Sequence, residues 1–252
     1  MKRIYPFAFI LICVAMLAYS PHSATAQFTS KTYISGGLST LAMPGETPNT
    51  LPMVQRDTTK EQITGGSFNG SQPGIGLQFL FVLDKEENFR IPLGFDYNFF
   101  RAAERIPISA FYEARLKHRV DVAGINLGLH YAFLKFPLAQ AKIYGGIEAR
   151  ATYVFNGEFQ KIQNYKLDDL MDEDVTIPTK PDVWRFGGQA RLGIEGEIFD
   201  PVYINTSVAF GVINLIGRDD QRGELFTILS QYENEESLVS VINFSFLIQY
   251  KF

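Results

Sequence analysis

The chain is poor in cysteine and tryptophan: Cys13 is its one cysteine, and 252 residues contain a single tryptophan. Cys13 lies in the N-terminal segment 1–26, which we predict to be a cleaved signal peptide that leaves 27–252 as the mature chain. It follows two large aliphatic residues, an arrangement that does not favour a lipoprotein signal. The expected mature chain therefore has no thiol, no disulfide and no Cys-based metal site.

The signal-peptide prediction depends on three adjoining features. Lys2 and Arg3 supply positive charge, and the apolar run 7–17 behind them is too short to cross a membrane as a helix. The small residues 24–26 then provide a cleavage site before Gln27. A leader of this form indicates export to the cell envelope.

Long apolar runs and a positive net charge are also missing after residue 26. No segment there approaches the roughly 20 apolar residues of a helical membrane span. The chain has 23 basic and 27 acidic residues, and loss of Lys2 and Arg3 leaves 21 basic against 27 acidic, a formal charge of −6. This balance argues against nucleic acid as a partner.

The chain instead alternates in polarity, most clearly at its C-terminus. Because strand side chains point to opposite faces in turn, 239–252 places apolar residues on one face and mostly polar residues on the other. The apolar face is Ile242, Phe244, Phe246, Ile248, Tyr250 and Phe252. A strand with lipid on one side and a crowded polar interior on the other needs this pattern.

Seven further segments alternate in the same way, at 32–40, 74–83, 89–99, 124–133, 143–155, 184–198 and 202–212. Their connections are short at 84–88, 134–141 and 199–201, and long at 44–72, 101–119, 156–183 and 216–238. Short periplasmic turns that alternate with long extracellular loops are typical of outer-membrane barrels. We therefore predict an all-β fold: an eight-stranded antiparallel up-and-down transmembrane β-barrel with four long extracellular loops and short periplasmic turns.

The interior of such a barrel is wide enough only for side chains. Charges of both signs fall on the inward face: Arg90, Asp96, Glu148, Arg150, Arg191, Glu195, Glu197 and Lys251. Because unpaired buried charges are costly, we predict a plugged lumen held by Arg–carboxylate contacts, with Arg191 opposite one of the glutamates. Pro92 lacks an N–H and predicts a bulge or a local break in pairing.

The leader, the eight alternating segments and the terminal Tyr250-Lys251-Phe252 resemble the small bacterial outer-membrane barrels, above all the PorT-like and OmpX-type families. In that group an aromatic-x-aromatic ending is read by the barrel-assembly machinery, so the resemblance implies that Tyr250 and Phe252 form an assembly signal. It also implies an outer-membrane location, with lipids and that machinery as partners. OmpA is less similar, because the peptidoglycan-binding domain that follows its barrel is missing here.

Two histidines and one acidic segment are the candidates for chemistry. His130 falls on the inward face, where a hydrogen-bonded interior histidine is favoured over a catalytic one. His118 lies in the second predicted loop, where a solvated basic loop is the default. The acidic segment 168–174 offers oxygen ligands for calcium, but its spacing lacks the glycine turn of an EF-hand loop. We predict no catalytic residue, no metal and no cofactor.

The fourth predicted loop has an apolar face at helical spacing, made of Leu225, Ile228, Leu229 and Tyr232. Two interpretations stay open. The segment is a short helix folded onto the barrel mouth, or it is a docking surface for an envelope or extracellular partner.

Three functions remain open from the sequence. The favoured one is a non-enzymatic barrel that acts through its external loops or supports an envelope complex for secretion, adhesion or assembly. A narrow conduit for small hydrophobic or ionic solutes requires an open lumen, which the charged interior argues against. A lipid-modifying enzyme of the outer leaflet requires a Ser–His–carboxylate set on the lipid face, and the alternation places none there.

Overall fold

A computed structural model describes residues 31–44, 53–54, 64–65, 68, 70–165, 173–177, 180–219, 223–226 and 236–252. The predicted signal peptide and its cleavage site lie outside these ranges. Within them, no helix has the length and apolarity of a membrane span. The described chain is almost entirely β-strand.

The strands are β1 (Thr32–Ala42), β2 (Met53–Val54), β3 (Thr64–Gly65), β4 (Ser71–Val82), β5 (Phe89–Ser109), β6 (Tyr112–Lys135), β7 (Lys142–Tyr165), β8 (Glu173–Ile177), β9 (Val183–Phe199), β10 (Val202–Ile216) and β11 (Ser240–Lys251). Eight of them form a closed ring in the order β6-β5-β4-β1-β11-β10-β9-β7, and β7 pairs again with β6. Neighbours in the ring are antiparallel. The predicted eight-stranded antiparallel barrel is confirmed.

The ring has two distinct ends. One end carries the start of β1, the end of β11 and the short connections 83–88, 136–141 and 200–201; we call it the turn end. The opposite end carries the connections between β1 and β4, β5 and β6, β7 and β9, and β10 and β11; we call it the loop end. Because the last strand pairs with the first, the ring leaves no open edge along its wall.

The outer wall is apolar along the middle of every strand. Leu38, Ile147 and Leu192 have exposed fractions of 64%, 72% and 52%, although each lies within a regular strand. Their chain neighbours point inward and are buried, apart from the partly buried Gly37 and Gly146, which gives the predicted period of two. A continuous exposed apolar wall of this size is a surface that lipid solvates and water does not.

Aromatic side chains form a band at each edge of this wall. Near the loop end, Trp184 stacks on Tyr153 at 4.8 Å between ring centroids, and Tyr97 contacts Phe99 at 4.8 Å. Near the turn end, Phe89 packs on Tyr131 at 4.8 Å. Phe89 and Phe99 are ten residues apart on β5, which at the tilt of barrel strands is roughly 25 Å across the wall. This height matches the apolar band of transmembrane barrels.

Much of the second and third predicted loops is paired β-strand in the structure. β5 and β6 stay paired far past the aromatic band, up to Ser109 and Tyr112, so only residues 110–111 turn. β7 likewise continues to Tyr165, and the short β8 pairs with its edge from Phe159 to Gln163. Strand pairing needs only backbone hydrogen bonds, so it persists where the lipid-imposed alternation has ended. The result is a β-ribbon that projects from the loop end.

Pro92 leaves a local break, as expected. β5 keeps its register with β4 through Leu80 and Pro92. On its other side, the pairs with β6 run from Arg90–His130 to Leu93–Leu127 without a register shift, and Pro92 itself is unpaired. The missing N–H therefore interrupts the pairing of β5 with β6 between Arg90 and Leu93 and introduces no bulge.

Gly128 tests how tightly the inner wall is packed. A Cβ at Gly128 would lie 2.1 Å from the carbonyl oxygen of Ile147, whereas at the outward Gly36 the nearest atom is 3.9 Å away. We expect Gly128→Ala to lower the free energy of unfolding by roughly 1–3 kcal/mol and Gly36→Ala to change it little. Urea titration of both variants in lipid vesicles would show the difference; equal stability would contradict the described packing.

Candidate functional site: the filled lumen and its two ends

Glu148 organises the central layer of the lumen. Its carboxylate accepts hydrogen bonds from Arg191 Nε at 2.6 Å, and His130 Nε2 lies 2.7 Å from the same oxygen. Gln189 donates to the other oxygen. All four side chains are buried. Of the three glutamates considered opposite Arg191, the structure pairs it with Glu148, and His130 is a hydrogen-bonded interior residue.

A second ion pair fills the lumen beside the first. Arg150 on β7 donates to both oxygens of Asp96 on β5, at 2.6 and 2.8 Å, across the intervening β6. Asn98 and Asn126 complete the shell of Asp96 at 2.7 and 3.0 Å. The predicted charges Asp96 and Arg150 therefore satisfy one another inside the barrel.

The third pair crosses the lumen nearer the turn end. Arg90 on β5 contacts Glu195 on β9 at 2.7 Å, and both side chains are 1% exposed. Lys142 lies 3.7 Å from the other Glu195 oxygen. Glu197, also predicted to belong to the lumen charge network, is half-buried at the rim. Among the described residues, the hydrogen bond that its carboxylate accepts comes from Tyr203 at 3.4 Å.

Glu87 closes the turn end of the lumen, although it is not among the residues predicted to lie there. Its backbone has a positive φ of 60°, which folds the first turn back into the barrel. The carboxylate there accepts hydrogen bonds from Lys31 at 2.7 Å, Tyr33 at 2.8 Å, Lys142 at 2.5 Å and Lys251 at 3.2 Å. One turn residue thereby connects the beginning of β1 and the end of β11 to β7.

Burial alone raises the pKa of Glu87, but hydrogen bonds from Lys142, Lys31 and Tyr33 outweigh burial and hold the pKa of this carboxyl well below its usual range. A carboxyl with a lowered folded-state pKa stabilises the fold above its unfolded pKa, about 4.3, and loses that contribution as the pH falls further. The seal is therefore fully formed at neutral pH.

We expect Glu87→Gln to lower the free energy of unfolding by roughly 1–3 kcal/mol at pH 7, because it leaves three lysines without their carboxylate. The difference from the wild type should narrow below about pH 4, where the unfolded glutamate is protonated. Urea titrations across this pH range measure both effects. The matched control is Glu86→Gln, since Glu86 is an exposed neighbour in the same turn. A constant difference at all pH values would contradict the assignment.

The loop end of the lumen is closed by apolar side chains. Phe68 packs edge-on against Phe100 at 5.4 Å, and Phe226 stacks on Phe100 at 5.2 Å. The cluster comprises Leu41, Met43, Phe68, Phe100, Val120, Val122, Val154, Ile213, Leu225, Phe226, Val239 and Val241. His118 belongs to this region: it is 2% exposed and lies 4.2 Å from the Phe68 ring. The prediction of a solvated loop around His118 is wrong. β6 continues through His118, and the imidazole points inward.

A buried ion pair holds the connection between β10 and β11 in the barrel mouth. Arg185 donates to both oxygens of Glu236, and Asn214 donates to the same carboxylate at 2.8 Å. Glu236 is fully buried. Leu225, a candidate for partner docking, is 2% exposed within the apolar cluster. Ile228, Leu229 and Tyr232 lie outside the described residues.

The C-terminal aromatic residues and the acidic segment 168–174 are the remaining candidates from the sequence. Tyr250 and Phe252 point outward at the turn end with ring centroids 4.8 Å apart, while Lys251 between them points inward. In the acidic segment, Asp168, Asp169 and Asp172 lie outside the described residues, and Asp174 accepts from Gln160 at 2.9 Å. Over the described ranges, no group of three potential metal ligands comes together.

The sequence matches no family model and no curated protein. Among solved structures it is similar to OprG, an outer membrane protein of Pseudomonas aeruginosa, at 14% identity and TM-score 0.46, over 89% of this chain and 96% of that one. Ail, the attachment invasion locus protein of Yersinia pestis, matches at 10% identity and TM-score 0.38, over 88% and 99%. Neisserial surface protein A matches at 8% identity and TM-score 0.40, over 88% and 96%. These are likenesses of fold.

Proposed function

We propose that this protein is a non-enzymatic barrel of a Gram-negative outer membrane, that its lumen does not conduct, and that it acts through the surface at its loop end. The observation that carries the proposal is the filling of the lumen in three layers. Glu87 closes the turn end, buried ion pairs occupy the centre, and the apolar cluster around Phe100 closes the loop end.

The outer-membrane location is supported by the apolar wall and its two aromatic bands. The predicted leader 1–26 and the terminal Tyr250 and Phe252 supply the expected export and assembly signals. Short turns of such barrels face the periplasm, so the loop end faces the outside. Membership of the PorT-like barrels rests on the sequence resemblance alone.

The projecting ribbon is the surface best placed to meet a partner of an envelope complex. From Phe99 to Ser109, β5 continues for ten residues, roughly 30 Å along the strand. Phe111 at its tip is 56% exposed. Leu225 is buried in the apolar cluster at the barrel mouth. We therefore propose that the docking surface is on this ribbon and not on the connection between β10 and β11.

A conductance measurement tests the filled lumen. In planar bilayers we expect the wild-type protein to stay at the background current, with a sixteen-stranded porin in the same bilayers as the positive control. Steady channels from the wild type would favour the alternative function, a narrow conduit for small hydrophobic or ionic solutes.

A photo-crosslinking experiment tests the ribbon as a docking surface. A photoreactive residue in place of Phe111 should give a discrete adduct in intact cells. The same residue in place of Leu138, which is 84% exposed in a turn at the opposite end, is the control and should not give that adduct. Absence of a Phe111-specific adduct would remove the support for docking at the tip.

The non-enzymatic assignment has its own test. His130 lies inside the filled lumen at 1% exposed, and the His118 side chain is buried at 2% exposed. We expect the mass spectrum of outer-membrane lipid A to be the same with and without the gene. A lipid species that disappears on deletion would favour an enzyme.

A further inference from the structure

Five basic side chains share the outward face at the base of the projecting ribbon; we call Arg101, Arg105, Arg115, Lys117 and Arg119 the basic wall. The strand register places these cations in rows. Arg101 is directly opposite Arg119, Ala103 is opposite Lys117, and Arg105 is opposite Arg115. Two of the three rows therefore bring like charges face to face, an arrangement that destabilises a sheet unless anions offset it.

Carboxylates of the protein neutralise this wall only in part. Asp121 is 2.6 Å from Arg101, and Glu113 contacts both Arg105 and Arg115. Glu158 lies 3.7 Å from Arg119, with both side chains half exposed. Lys117 has no ion pair with any residue in the described ranges. The wall therefore keeps an excess of positive charge, concentrated at Lys117 and Arg119.

The small side chain of Ala103 leaves a cleft between these cations. The cleft has a volume of about 390 Å³, and its lining includes Arg101, Ala103, Lys117, Arg119 and Glu158. A volume of this size accommodates a phosphorylated sugar. The cations at its rim are donors suited to phosphate oxygens.

The height of the cleft identifies the source of the anion. Arg101 follows Phe99 by two residues on the same face, and Phe99 and Tyr97 belong to the aromatic band that marks the outer edge of the hydrocarbon. Arg101 is therefore only about 5 Å above that edge, at the level of lipid headgroups. The phosphates of lipid headgroups are confined to this level by the membrane, whereas a soluble anion is not. The height of the cleft therefore favours a headgroup phosphate as its ligand.

We propose that the basic wall binds the phosphate groups of the phosphorylated glycolipid, lipid A, in the outer leaflet around the barrel. Lys117 and Arg119 contact the phosphate directly, and Arg101, held by Asp121, positions its neighbour Arg119. The bound lipid offsets the repulsion between facing cations and fixes the base of the ribbon against the membrane. This proposal requires the outer-membrane location but neither the closed lumen nor a protein partner.

Retention of lipid A by the purified full-length protein in detergent tests this inference. The protein is incubated with bis-phosphorylated lipid A, and with the same lipid after removal of its phosphates, and bound lipid is counted by native mass spectrometry. The double variant Lys117→Gln, Arg119→Gln should retain about tenfold less phosphorylated lipid than the wild type, because two charge-assisted contacts are lost. Binding by the wild type should weaken as salt is added.

The matched control is the double variant Lys85→Gln, Lys135→Gln, which removes two exposed cations at the turn end and should retain lipid like the wild type. Both variants change exposed residues, and a heat-modifiability gel verifies that each is folded. Equal retention by the two double variants, or equal retention of the dephosphorylated lipid, would overturn the proposal.

Discussion

Replacing Arg191 with alanine is expected to lower the free energy of unfolding by about 3–5 kcal/mol, because it leaves Glu148 ionised and buried without its main counter-charge. Glu148 is 1% exposed in its side chain and Arg191 is 6% exposed. His130 and Gln189 still reach the carboxylate, but neither replaces a bidentate guanidinium. Urea unfolding in vesicles, followed by the fluorescence of the single tryptophan, Trp184, measures the loss.

Two further variants separate a buried ion pair from a general loss of packing. Adding Glu148→Gln to Arg191→Ala removes the uncompensated charge, so the double variant should be more stable than Arg191→Ala alone. Arg105→Ala removes an arginine that is 64% exposed and should cost no more than about 1 kcal/mol. If Arg191→Ala cost no more than Arg105→Ala, the filled, dry lumen would be contradicted.

Replacing Leu192 with lysine is expected to lower the free energy of unfolding by roughly 2–4 kcal/mol, because it places an ammonium group in hydrocarbon near the middle of the membrane. Leu192 lies halfway along β9 and is 52% exposed. At such an exposed position in a protein surrounded by water, a lysine would change stability by no more than about 0.5 kcal/mol. The variant therefore distinguishes a lipid-facing wall from a solvent-facing one.

The control for this variant is Leu238→Lys. Leu238 is 46% exposed, just before β11 at the loop end. Because lysine costs roughly 0–1 kcal/mol near the membrane interface, Leu238→Lys should be tolerated. Equal effects of the two lysines on urea unfolding in vesicles would be inconsistent with the depth that the aromatic bands assign to Leu192.

The part of the fold inside the apolar band was predictable because two environments alternate along each strand. The pattern of 239–252 corresponds to β11 at Ser240–Lys251, and the eight segments correspond to the eight strands of the ring. Outside that band the alternation on β6 is reversed: Leu116 and Val120 are buried on the inner face, and Lys117 and Arg119 are exposed on the outer face, so no apolar face points outward. This explains why Arg101 to Arg119 read as a loop although most of it is paired strand.

The ion-pair partners of the lumen charges were less predictable than the inward positions of these charges. Arg191 reaches Glu148 because Glu148 is directly opposite Gln189, two residues away on the same strand, and so is a diagonal neighbour. Arg90 and Glu195 instead meet across the lumen from strands that are not adjacent. The inward position of Glu87 was not predictable, because a glutamate in a turn is usually solvated and the sequence does not reveal its positive φ.

Quenching of tryptophan fluorescence by brominated lipids tests most directly that the barrel wall faces acyl chains. The native Trp184 is compared with a variant that carries Trp184→Phe and Leu192→Trp. We expect bromines near the headgroups to quench Trp184 most, and bromines deep in the acyl chains to quench the tryptophan at position 192 most. If bromines at no depth quench either tryptophan, the wall is in water and the transmembrane barrel is wrong.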